Sequence, residues 1–172
     1  MAFSITTPEI GYPPITDTGT TQKLPIGTLV NAGSSGTAGT NVYGEASFVY
    51  LKGVANTAAG DLVFYDQYIG TTGRAGTAII GDVAVAMSAN VANQYGWYAV
   101  RGVVPITASA STAGLAVQVS ASVGTVTSAA GSTGDTLVTG AVFLSGTGTP
   151  AAGQAIVQLK APFVPGLDST HP

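Results

Sequence analysis

Hydrophobic positions along most of this chain either alternate with polar ones or run in short blocks, and glycine recurs just ahead of the blocks. The pattern appears as Gly60-Asp61-Leu62-Val63-Phe64-Tyr65, as Gly81-Asp82-Val83-Ala84-Val85-Ala86-Met87 and as Gly114-Leu115-Ala116-Val117-Gln118-Val119. It returns in Gly134-Asp135-Thr136-Leu137-Val138 and Gly153-Gln154-Ala155-Ile156-Val157-Gln158-Leu159. A glycine, or glycine with aspartate, supplies a turn, and the Val-, Thr- and aromatic-rich run after it supplies a strand. The intervals are uneven, which excludes a solenoid. Helix formers other than alanine are scarce, and only Ser88–Asn93 suggests a short helical turn. The expected fold is mainly β, a compact β-barrel or β-sandwich-like domain.

The strongest strand signal is Tyr95-Gly96-Trp97-Tyr98-Ala99-Val100-Arg101-Gly102-Val103. Period-two alternation puts Tyr95, Trp97, Ala99 and Arg101 on one face and Tyr98, Val100 and Gly102 on the other. Both faces carry large side chains, so the strand is expected to be covered on both sides, by core and by a partner. Tyr95, Trp97, Tyr98 and Arg101 are therefore candidate subunit-interface residues. Arg101 suits pairing across a subunit boundary with Glu45 or an aspartate, because its planar fork matches a carboxylate. It equally suits a solvent-facing position with its stem along Trp97.

Residues 1–27 read differently. Pro8, Pro13 and Pro14 exclude helix interiors and central strands, so an extended N-terminal arm is expected, followed by a single β domain over 28–164 and a flexible tail over 165–172. Ile10, Tyr12, Pro13, Pro14 and Ile15 give the arm apolar handles for docking onto a neighbouring protein. Deleting residues 1–20 is accordingly expected to leave the β domain folded.

Composition narrows the function classes. Only 8% of the 172 residues are charged, against roughly 25% in ordinary soluble domains, while the hydrophobic fraction is 45%. The surface is then mostly hydroxyl, amide and small apolar groups, which pack against protein with few charges to desolvate. The formal charge of −3 and the scatter of Lys23, Lys52, Arg74, Arg101 and Lys160 argue against nucleic acid, whose phosphates need a basic cluster. There is no cysteine, hence no disulfide or thiolate metal site. Met1–Ile5 lacks a basic start and a continuous apolar stretch, so no secretory signal is expected. No apolar run approaches the roughly 18 residues of a membrane helix.

The residues offer little chemistry. The single histidine, His171, is the penultimate residue, which leaves no histidine for a triad or a zinc site within the domain. Asp61, Asp82 and Asp135 follow glycines and read as turn caps, since no calcium-loop spacing is present. No catalytic residue, metal ligand or cofactor is assigned, and the chain is expected not to be an enzyme.

Two central segments carry a family resemblance. Phe48-Val49-Tyr50-Leu51-Lys52-Gly53-Val54-Ala55-Asn56-Thr57-Ala58-Ala59-Gly60-Asp61, and Val83–Ser88 continuing through Gln94-Tyr95-Gly96-Trp97-Tyr98, resemble the decoration (cement) proteins of tailed-phage capsids. The opening Ile10–Ile15 and the closing Pro162-Phe163-Val164 are similar too. The resemblance implies a β-tulip-type domain on the outer face of the virion capsid, bound to the major capsid protein and assembled as a homotrimer in the bacterial host cytoplasm. The rival within a virion is a tail, baseplate or head-fibre component. A carbohydrate-binding β module is a further alternative, with Tyr95 and Trp97 as its aromatic platform.

Overall fold

The computed structural model describes residues 3–5, 11–34, 43–77, 79–88, 93–128 and 136–166. Among them there is no helix and there are eleven strands. These are β1 (Ser4–Ile5), β2 (Leu29–Ser34), β3 (Gly44–Lys52), β4 (Leu62–Asp66), β5 (Thr71–Arg74) and β6 (Gly81–Ala86). They continue as β7 (Tyr95–Ala110), β8 (Ala116–Val119), β9 (Val126–Thr127), β10 (Leu137–Phe143) and β11 (Gln154–Val164). Strands β4, β6, β8, β10 and β11 are the five that the glycine-led pattern marks. Gly60 and Gly153, at φ +91° and +73°, hold the left-handed turn conformation that lets the chain reverse just before β4 and β11.

All eleven strands join one sheet that is organised by β7. One circuit of hydrogen-bonded neighbours runs β7–β3–β5–β4–β6 and back to β7. A second runs β7–β11–β10–β8–β9 and returns to β7. Pairing of β6 with β11 ties the two together. The sheet thus closes on itself twice in a barrel-like manner, with β2 and then β1 attached to β3 outside the circuits. At 16 residues, β7 is long enough to serve both circuits.

The strand passes through Pro105, which pairs with Ile156. Proline is tolerated here because N–H groups two residues apart point the same way along a strand. The Thr107 N–H is aimed at Gly60 O, away from β11. The donor that Pro105 lacks would therefore also face away from β11, and no rung of that ladder is lost.

Burial follows the alternation, but on both sides of the sheet. Phe48, Tyr50, Leu62, Val83, Val85, Trp97 and Ala99 belong to the large core, which extends over Val104, Ile106, Phe143, Val157 and Leu159. The intervening residues Val49, Leu51, Val63, Ala84, Ala86 and Tyr98 form a second, smaller core, against which Ile26, Tyr65 and Val100 pack. Both faces of the β3–β7–β6–β4 run are therefore covered by the chain's own residues.

The proline-rich segment also packs on the domain from Gly11 onward. Ile15 is 1% exposed and belongs to the large core. The Trp97 indole N–H donates to Pro13 O at 3.0 Å, the Tyr12 and Trp97 rings lie 6.2 Å apart, and Gly19 bridges to Tyr95. Phe3 adds a third anchor, edge-on to Phe48 with ring centroids 5.0 Å apart. Deleting residues 1–20 would thus remove core side chains, and the expectation that the domain is indifferent to this loss does not hold.

Candidate interaction surface

The residues singled out from sequence fall into three groups. Trp97 and Tyr98 are fully buried, on opposite faces of β7 and in separate cores. Neither side chain reaches the surface, so their expected place at a subunit interface is corrected to the interior. The physical reason is that the chain supplies the second cover which a strand with two bulky faces requires. Tyr95 is half-buried and stacks on Tyr50 at 6.1 Å with an interplanar angle of 15°. With Trp97 buried, the two rings form no exposed platform of the kind a sugar needs.

The arm handles divide similarly. Pro13 and Ile15 are buried in the chain's own core, Tyr12 is half-buried beside Trp97, and Pro14 is exposed. In this fold Pro13 and Ile15 are anchors for their own domain, not handles for a neighbour. Ile10, the Asp135 turn, His171 and most of the suggested helical turn after Ser88 lie outside the described residues.

Arg101 is exposed. It lines a groove of about 660 Å³ with Glu45, Asn31, Ser47, Gln158 and Lys160. The fold thus brings Arg101 and Glu45 into one concavity of the same chain, yet no ion pair forms between them. Among the described residues the ion pairs are Lys23 with Asp17 at 3.0 Å and Arg74 with Asp61 at 2.8 Å. The groove is possible because β3 and β7 shift register between Ser47 and Phe48 and approach closely just beyond. A Cβ on Gly102, at φ +104°, would lie 2.6 Å from Ala46 Cβ and 2.7 Å from its Cα, so only glycine fits.

Of the aspartates read as turn caps, Asp61 accepts from the Ala58 N–H at 3.0 Å, as expected. It also takes the Arg74 Nε–H at 2.8 Å, while Arg74 Nη2 donates to Val123 O at 2.9 Å. The pair joins the start of β4 and the end of β5 to the turn before β9, and so links the two circuits. Nothing in the spacing of Asp61 and Arg74 signalled this contact. Asp66 caps its own hairpin, accepting from the Tyr68 and Ile69 N–H groups at 2.7 and 3.2 Å. Asp82 is exposed.

That hairpin, β4 to β5, holds two adjacent large side chains out at its tip: Tyr68 is 98% and Ile69 62% exposed. Ile80, 70% exposed, stands before β6. Sequence reading passed over these residues because single apolar side chains in a turn have no periodicity.

The electrostatics give one pH-dependent expectation. Burial pushes the Tyr43 phenol above its usual 10.0. Burial does the same for Tyr65, helped by the nearby Asp82 carboxylate and opposed by a hydrogen bond with Gln67. A raised pKa in the fold means that the unfolded chain ionises first. This contribution to stability is therefore complete below pH 10 and is lost as pH rises through the folded-state values. Urea denaturation at about pH 9 and about pH 11 is expected to show this loss, and to show less of it in Tyr65→Phe.

Among the described residues no group of three or more His, Cys, Asp or Glu side chains could hold a metal ion, and no helix is long and apolar enough to cross a membrane. In comparison with known proteins, no family model matches the chain and no curated protein matches it significantly.

Proposed function

We propose that this chain is a non-enzymatic structural protein that assembles on other protein, as a decoration protein on the outer face of a tailed-phage head, where it bridges copies of the major capsid protein. The observation that carries the assembly reading is the nature of its surface. A doubly closed β scaffold holds Tyr68 and Ile69 out at a hairpin tip, on a chain with five basic and eight acidic residues in total. Exposed aromatic and aliphatic anchors on a charge-poor surface are what a protein partner can cover at low desolvation cost.

The capsid reading adds the resemblance of Phe48–Asp61 and Val83–Tyr98. These segments run from β3 to the residue before β4 and from β6 into β7, so they contribute to three of the five strands of the first circuit. A homotrimer belongs to the same proposal. Several weak contacts on a repetitive shell reinforce one another, because each contact raises the effective concentration of the next.

The test is co-sedimentation of the purified chain with expanded phage heads stripped of decoration protein, followed by electron microscopy of the pelleted heads. Density at threefold positions is the expected result, with occupancy reduced in a Tyr68→Ser/Ile69→Ser variant that still folds. A chain that stays in the supernatant at saturating concentration would remove the capsid assignment.

A further inference from the structure

A polar row crosses four neighbouring strands. Asn31 on β2 pairs with Ser47 on β3, Ser47 with Arg101 on β7, and Arg101 with Lys160 on β11. Directly paired residues point to the same face of a sheet, and all four line the groove described above. Two of the chain's five basic residues thus stand opposite one another on adjacent strands, about 4.8 Å apart in backbone spacing.

Like charges so placed repel. Lys23 and Arg74 each have a carboxylate partner, whereas among the described residues neither Arg101 nor Lys160 has one within ion-pairing distance. Each is followed by a residue in the left-handed region, Gly102 at φ +104° and Ala161 at φ +50°. The backbone is therefore contorted on both strands at the place where the two cations face each other. A carboxylate placed between the two cations would turn this repulsion into attraction.

We infer that this groove binds a carboxylate presented by an extended acidic segment of a partner protein. The Arg101 guanidinium takes the carboxylate in a forked pair of hydrogen bonds, and the Lys160 ammonium supplies the second charge. Ser47 and Gln158 line the groove with a hydroxyl and an amide suited to peptide groups. Glu45 on the same groove disfavours a doubly charged phosphate and sets a singly charged carboxylate as the preferred ligand. The inference deepens the assembly reading and rests on it only in taking the partner to be a protein.

The experiment uses the full chain and a blocked hexapeptide of alternating Asp and Thr, followed by amide chemical shifts at low salt. A peptide with Asn for Asp and inorganic phosphate serve as comparisons. Saturable shifts centred on Ser47, Arg101, Gly102 and Lys160 are expected, with the Asn peptide silent. Arg101→Gln and Lys160→Gln should each weaken binding by about tenfold or more, as for a lost charged hydrogen bond. The same variants should melt at an unchanged or higher temperature, because repulsion is relieved; a merely structural role for the pair predicts the opposite. Absence of saturation, binding untouched in both variants, or phosphate held more tightly than the peptide would each overturn the inference. Full occupancy of both variants on phage heads would remove the groove from assembly while leaving the decoration reading in place.

Discussion

Replacing Trp97 by alanine is expected to cost about 3–5 kcal/mol of folding free energy, a large part of the roughly 5–15 kcal/mol that holds a domain together. The side chain is fully buried and lies edge-on to Tyr50 at 5.2 Å. Its indole also fastens Pro13, 84 residues away in sequence. The loss should therefore appear twice, as a lower urea midpoint by circular dichroism and as faster tryptic cleavage at the exposed Lys23 in the loosened N-terminal segment. Trp97→Phe retains most of the packing but forfeits the hydrogen bond, and an intermediate loss of about 1–2 kcal/mol is expected. A Trp97→Ala protein of unchanged stability that failed only to assemble would return this residue to an interface.

The second large effect is expected at Asp61. The Asp61 side chain is 4% exposed and the Arg74 side chain 29% exposed, so removing the acid leaves a poorly solvated guanidinium and an Ala58 N–H without its acceptor. Asp61→Ala is expected to destabilise by about 3–5 kcal/mol. Asp61→Asn retains an acceptor for the Ala58 N–H and should lose less. Because the pair sits where β4, β5 and the turn before β9 meet, hydrogen exchange should accelerate in β9 as well as in β4. Faster exchange confined to β4 would show that the pair does not couple the circuits.

How far the sequence could be read depended on whether a feature has a local cause. The strands led by Gly60, Gly81, Gly114, Gly134 and Gly153 were legible, because turn glycine and alternating side chains are properties of neighbouring residues. Strand β5, Thr71-Thr72-Gly73-Arg74, has almost no apolar signal and owes its place to pairing with β4. The two-residue β9 is likewise defined by its neighbours.

A strand with Trp97 on one face and Tyr98 on the other announces that both sides are covered, but not by what. The prolines at 13 and 14 rule out regular structure there without ruling out burial, so the sequence alone does not distinguish a handle at Ile15 from the core residue it is. At the candidate site Arg101 was legible as an unusual charge, whereas its opposition to Lys160 required the register of β7 against β11.

The double closure around β7 also bears on how the molecule is made and lost. Both circuits need pairings between residues far apart in the chain, such as Ser47 with Arg101 in the first and Lys160 with Arg101 in the second, and such contacts form only after large loops have closed. Folding is then slow for a chain of this size. The reverse barrier benefits: no strand of either circuit can peel away without breaking the circuit, and β7 cannot leave without opening both. Such a molecule persists because it opens slowly, whatever its equilibrium stability.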